Sequence, residues 1–254
     1  MTSTVIDPTL WLRRFHPAPQ APVRLICFPH AGGSASYFFP VSRALTPGIE
    51  VQAVQYPGRQ DRRTETPIGD VEQLADHIAT ALRPALDRPV ALFGHSLGAM
   101  VEFEVARRLE NDGHELLGVF ASGRRAPDRY RDESVHTLPD SALIANMKEL
   151  SGTDPRLLGD AEFLQSVLPA LRADYHAAET YRCRDRAPLR CPIVTLTGDQ
   201  DPMVSAAEAQ GWAAHTAGEF QLHTFPGGHF YLDQHVPAVL GLIAEQLTRW
   251  RDRK

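Results

Sequence analysis

The stretch Pro89 to Leu109, PVALFGHSLGAMVEFEVARRL, constrains the fold of this chain more than any other. Val90 to Phe93 is a short apolar run of the kind that forms a buried strand. Met100 to Leu109 reads as a helix, stopped by Asn111-Asp112-Gly113. Only Gly94-His95-Ser96-Leu97-Gly98 and Ala99 separate them. So tight a turn leaves no room for a side chain on either flank, which accounts for glycine at both. The serine between them takes a strained backbone conformation and exposes its hydroxyl at a helix N-terminus, where developing negative charge is favoured. Strand, Gly-x-Ser-x-Gly and helix together form a nucleophile elbow, a stronger signal than the five-residue pattern alone.

Further elements repeat the same alternation. Val23 to Phe28 runs into Pro29-His30-Ala31-Gly32-Gly33, and Ile49 to Val54 runs into Tyr56-Pro57-Gly58. Strands are also predicted at Leu116 to Ala121, Ile193 to Leu196 and Gln221 to Phe225. Asp70 to Leu86 carries Val71, Leu74, Ala75, Ile78 and Leu82 on one helical face, with Asp70 as N-cap. Val236 to Trp250 is a last helix, with Pro237 near its first turn. Strand–helix alternation of this kind predicts a mostly parallel central sheet with helices on both faces, the α/β-hydrolase fold once the elbow is included. At 254 residues and 43% hydrophobic, the chain is read as one α/β-hydrolase domain spanning 1–254.

One segment breaks the alternation. From Ser134 to Arg190 no strand is evident, only helical stretches at Ser141 to Leu150, Ala161 to Leu171 and Arg172 to Tyr181. An all-helical insertion at about 134–190 reads as a lid over the sheet edge where open α/β folds bind ligands, with plain helical packing as the alternative.

Several function classes are disfavoured. A net charge of −5 offers no basic face for nucleic acid. Three cysteines, Cys27, Cys183 and Cys191, form no C-x-x-C pair, which argues against a disulfide framework or zinc site and suits a reducing compartment. Neither a signal peptide nor an apolar run of about 18 residues is seen, so no membrane span is expected and the cytoplasm is the expected location.

A serine nucleophile needs a base, and the base an orienting acid, in the chain order Ser, Asp or Glu, His on this fold. The Gln221 strand ends in Pro226-Gly227-Gly228-His229, and the Ile193 strand in Thr197-Gly198-Asp199-Gln200-Asp201-Pro202. His229 is therefore the candidate base, because His77 and His176 fall in helices, His223 in a strand, His114 at the opposite edge and His235 at a helix start. His95 sits in the elbow with its side chain directed away from that of Ser96. Asp201 is favoured over Asp199 as the acid, since Asp199 directly follows Gly198 and better suits shaping the turn. The backbone N–H groups of Leu97 and Ala31 are the candidate oxyanion donors. The loop around Ala31 lacks the lysine and spacing of a phosphate cradle.

The runs FPHAGGSASYFFP, QYPGRQDRR, FGHSLGAMVEFEVARRL, LTGDQDP and FPGGHFYL resemble the type II thioesterases of polyketide and nonribosomal peptide synthesis. LPALRADYHAAETY resembles the lid of that family, so the likeness spans roughly residues 24 to 232. The resemblance implies a discrete hydrolase, without cofactor, that clears stalled acyl groups from the phosphopantetheine arm of acyl or peptidyl carrier proteins. It implies Ser96 as nucleophile, Asp201 as acid, His229 as base, and Ala31 and Leu97 as oxyanion donors. Leu143, Met147, Leu164, Val167 and Leu168 are candidate lining of an apolar acyl chamber, or core. Arg124, Arg125, Arg129 and Arg131 follow the Leu116 strand and are candidates for docking an acidic carrier or holding the phosphate of its arm, or a solvated loop. A general esterase, an acyltransferase and a silent carrier-binding module are the competing readings.

Overall fold

The computed structural model describes residues 6–150, 161–184 and 187–253, with the first three of residues 161–184 described by backbone alone. Parts of the expected insertion, residues 151–160 and 185–186, lie outside the described residues, as do 1–5. The centre is a seven-stranded sheet in the order β1-β3-β2-β4-β5-β6-β7. Its strands are β1 Leu12–Arg13, β2 Val23–Phe28, β3 Ile49–Val54, β4 Val90–His95, β5 Leu116–Ser122, β6 Ile193–Gly198 and β7 Phe220–Phe225. β1 pairs antiparallel with β3, and every other pairing is parallel. β1 is too short to leave a periodic signal and was not expected from sequence.

The helices are α1 Pro8–Trp11, α2 Phe39–Leu45, α3 Val71–Leu82, α4 Leu97–Asn111, α5 Asp140–Glu149, α6 Ala161–Thr180, α7 Ala206–Gln210, α8 Tyr231–Gln234 and α9 Val236–Asp252. Successive residues of a strand point to opposite faces. Ile26 and Phe28 of β2 therefore join a core with α3 and α4, while Leu25 and Cys27 join one with α9. The Asp70 carboxylate accepts from the Gln73 N–H at 2.8 Å, capping α3. The expected extension to Leu86 does not form as α-helix; Arg83–Ala85 is a 3-10 turn, because Pro84 has no N–H to continue the ladder. All three cysteines are buried, and no disulfide joins them.

Two helices were expected over 161–181, and one is found. α6 runs through Pro169. A proline inside a helix costs about 3 kcal/mol, and burying a Leu or aromatic side chain contributes about 1.5–3 kcal/mol each. Leu171, Tyr175 and Ala177, all buried just beyond it, offset that cost. No helix of the described residues is long and apolar enough to cross a membrane.

Because β2, β4, β6 and β7 run parallel, their C-terminal ends share one edge. The loop after β2, the turn after β4 and the loops after β6 and β7 all open there, where ligand sites of such sheets form.

Candidate active site

Ser96 sits between β4 and α4 with φ 57° and ψ −116°, the strained conformation the turn predicts. A Cβ at Gly94 would lie 2.3 Å from the Gly98 carbonyl oxygen, and one at Gly98 would lie 2.1 Å from that of Phe28. Both glycines are therefore required by close backbone approach. The Ser96 N–H donates to the Ser122 carbonyl at 2.8 Å, tying the turn to β5.

His229 joins the serine to a carboxylate. Its Nε2 lies 3.0 Å from Ser96 Oγ, and its Nδ1 lies 2.9 and 3.0 Å from the two oxygens of Asp201. With the carboxylate on Nδ1, that nitrogen carries the proton and Nε2 accepts from the hydroxyl. Asp201 also accepts from the Met203 N–H at 2.8 Å. Asp199 points elsewhere: it accepts from the Gly227 N–H at 2.9 Å and holds the turn. Gly198 lets the two loops meet, since a Cβ there would sit 2.4 Å from the Gly227 and Gly228 carbonyl oxygens.

Two further histidines surround His229. The His95 ring centre is 5.0 Å from that of His229, with Nδ1 2.9 Å from Ser122 Oγ, which is 2.6 Å from the Tyr231 hydroxyl. His30 packs edge-on against Tyr37 and Phe230. Burial holds His95 well below its ordinary value and His30 down at about 3, with the neighbouring His229 adding to both shifts. Both imidazoles are thus neutral near neutral pH. The pattern of strand ends gave His95 and His30 no role, because ring packing leaves no mark on spacing.

In the loop after β2, the Gly33 N–H donates to the His30 carbonyl at 2.9 Å, and Gly32 has φ +74°. The Gly32 N–H donates to Asp174 of α6 at 2.7 Å. Ala31 and Leu97 both border the same cavity as Ser96 and His229, a space of about 530 Å³. Leu97 opens α4, so its N–H is among those a helix leaves without an internal acceptor.

Of the five expected lining residues, Met147 and Val167 border this cavity. Leu143 does not: it is fully buried against Leu171 and Tyr175. Leu168 packs on that cluster, and Leu164, half-buried, is off the wall. The cavity face of α6 is instead the stripe Val167, Leu171, Tyr175 and Ala178, about one helical turn apart each.

The four arginines form neither an open basic patch nor a solvated loop: three are engaged within the fold, and Arg124 and Arg131 border the same cavity as Ser96. Arg125 is buried and paired with Glu133, and Arg131 is paired with Glu208 at 2.6 Å. Arg124 is buried, donates to the Ala178 carbonyl at 2.8 Å, and is lowered to about 10 by burial. Among the four, Arg129 alone is largely exposed, at 59%.

Comparison with known proteins gives a consistent picture. A family model described as a thioesterase domain matches residues 23–247. The chain is 51% identical to thioesterase PikA5 of Streptomyces venezuelae, over 95% of this chain and 87% of that protein. It is 52% identical to a probable cadicidin biosynthesis thioesterase of Streptomyces griseus, over 96% of this chain and 68% of that one. The structure of the type II thioesterase BorB from the borrelidin biosynthetic cluster superposes with a TM-score of 0.89 at 52% identity, covering 94% of this chain and 98% of that one. The sheet and its flanking helices are those of the α/β-hydrolase fold.

Proposed function

The chain belongs to the thioesterase family, with the type II thioesterases of polyketide and nonribosomal peptide pathways, and is a thioester hydrolase; from that premise we propose that it clears acyl groups from the phosphopantetheine arm of acyl or peptidyl carrier proteins, using Ser96, His229 and Asp201. The observation that carries the residue assignment is His229, which reaches Ser96 on one ring nitrogen and Asp201 on the other.

In this reading Ser96 Oγ attacks the thioester carbonyl carbon while His229 Nε2 takes its proton. The N–H groups of Ala31 and Leu97 receive the developing oxyanion. The C–S bond breaks, His229 returns the proton to the leaving thiol, and an acyl-serine remains. Water then attacks the acyl carbon, giving its proton to Nε2, and collapse of the adduct releases the acid and restores the serine hydroxyl. Asp201 stays ionised and holds the imidazole in the tautomer and orientation both steps need. No step needs a cofactor. The same reading treats 1–254 as one cytoplasmic domain, with α5 and α6 as the lid.

A panel of acyl-carrier proteins tests this proposal. Acyl-Ser96 should be trapped by mass spectrometry on short reaction, and Ser96→Ala should lower turnover by about 10³-fold or more. Faster cleavage of oxygen esters than of carrier thioesters would favour an esterase instead, and transfer of the acyl group to an amine or alcohol would favour an acyltransferase.

A further inference from the structure

Asp174 lies in the middle of α6, 142 residues along the chain from Gly32, yet its carboxylate meets the loop after β2. One oxygen, Oδ2, accepts from the Gly32 N–H at 2.7 Å and from the Arg59 guanidinium. Arg59, from the YPGR turn after β3, donates in turn from Nε to the Gly33 carbonyl at 3.1 Å and from Nη1 to the Pro57 carbonyl at 2.7 Å. Asp174 is completely buried and Arg59 nearly so. Gly32 N–H, Asp174, Arg59 and Gly33 C=O thus close a ring of polar contacts around two consecutive residues of the loop.

That ring governs where the neighbouring amide points. Of the three consecutive residues Ala31, Gly32 and Gly33 on the cavity wall, the Gly33 N–H is taken by the His30 carbonyl and the Gly32 N–H by Asp174, so Ala31 is the one whose amide neither bond engages. Peptide planes are rigid: the Gly33 N–H on the His30 carbonyl holds the plane that carries the Ala31 N–H, and Asp174 on the Gly32 N–H holds the plane that follows it, so Ala31 is pinned on both sides. We infer that Asp174 is a positioning residue, which with Arg59 holds the 30–33 backbone so that the Ala31 N–H is aimed at the oxyanion, and which fastens α6 to that loop. The inference rests on the proposed role of Ala31. Two observations support it. A Cβ on Gly32 would lie 2.8 Å from Leu171 Cδ1, so helix and loop are in direct contact at the same point. Burial raises the Asp174 carboxyl from its ordinary value, and Arg59 and the Gly32 N–H oppose that rise, so the carboxyl meets protein partners there in place of water.

Geometry, more than charge, should then matter. Asn can present its amide oxygen to both donors, with its NH₂ in place of Oδ1, whereas Ala presents nothing. With a small acyl-N-acetylcysteamine thioester as substrate, Asp174→Ala should lower kcat on the order of 10- to 100-fold per titrated active site, with KM within about 3-fold. Asp174→Asn should keep kcat within about 5-fold of wild type, a rescue by geometry. A kcat within about 2-fold of wild type for Asp174→Ala would overturn the inference, because a merely structural role lowers Tm or the active fraction and leaves kcat per site alone. If Asp174→Ala does not fold, Arg59→Lys gives the reading. Lysine cannot span Asp174 and the Gly33 carbonyl together, so kcat falls with KM kept if the ring positions the loop, and stays if it does not. Wild type that cleaves the small thioester through Ser96 but ignores carrier-bound acyl groups would sink the proposed function and leave this inference standing. Turnover unaffected by Ser96→Ala would remove the oxyanion premise and overturn both.

Discussion

The elbow and the helices between β5 and β6 are held in place by different kinds of contact. At the elbow the constraint is backbone against backbone: the Gly94 position against Gly98, the Gly98 position against Phe28 and Ser96 N–H on Ser122. The helical segment is hung on the body by side chains. α6 is fixed by Asp174, by the Tyr181 hydroxyl on Glu104 at 2.6 Å and by His176 on the Gly69 carbonyl at 2.9 Å. α5 is hung on α6 in turn, through Tyr175 on Asn146 at 2.8 Å, Arg172 on Asp140 at 2.5 Å and the buried Leu143. Backbone contacts cannot relax without moving strands, whereas side-chain contacts can be exchanged one at a time. The elbow is built to keep one geometry, and α5 is the element whose position is cheapest to change.

Gly98→Ala puts the first half of that contrast under the greatest stress. The added methyl would sit 2.1 Å from the Phe28 carbonyl oxygen, which belongs to the sheet and cannot swing away. A stability loss of more than about 3 kcal/mol is expected by urea unfolding, with turnover lost even in the folded fraction. An alanine variant with near-normal stability would show that the elbow yields as readily as the helices.

The same contrast explains what could be read from sequence. The meeting of Ser96, Asp201 and His229 was legible because tight turns and strand ends leave glycines, prolines and apolar runs at set positions. Asp201 over Asp199 followed from where each stands relative to Gly198, and the turn-holding bond of Asp199 agrees with that choice. Asp174 and Arg59 were not legible, although both lay in quoted runs, because their pairing is made across 115 residues by tertiary packing. Leu143 and Leu168 were left between chamber wall and core for a related reason. Apolar spacing marks a buried face of a helix, but it does not say whether core or cavity lies opposite. The arginines after β5 show the limit for charge: a cluster in sequence became three groups engaged within the fold once Glu133, Glu208 and the Ala178 carbonyl arrived from elsewhere.

The dryness of the elbow side can be tested by acid. In the unfolded chain the His30 imidazole titrates at its ordinary value of 6.5, while in the fold burial holds it at about 3. Between those values only the unfolded chain binds the proton, so the stability is fully present above pH 6.5 and is lost as pH falls toward 3. At pH 5 the loss from this one group is about 2 kcal/mol. His30→Phe keeps a ring between Tyr37 and Phe230 and removes the titration. The difference in unfolding free energy between pH 7.5 and pH 5 should therefore shrink by about 2 kcal/mol in the variant. Any change in packing acts at both pH values and cancels from that difference. An unchanged difference would mean that water reaches His30.

Met147→Ala probes the other region, and its effect on stability should be the smallest. Met147 is half-buried on α5, at the edge of the small Leu143, Leu171 and Tyr175 cluster, so only modest packing is lost. The expected cost is under about 1 kcal/mol. Its consequence should be in substrate choice, because it borders the cavity together with Val167 of α6. Trimming it removes an apolar wall, so KM for a longer acyl thioester should rise by about 2- to 10-fold with kcat kept, while a short acyl group is hardly affected. If Met147→Ala instead lowered kcat equally for long and short acyl groups, α5 would be acting on the reacting atoms. The division between a fixed catalytic edge and an adjustable helical wall would then be drawn in the wrong place.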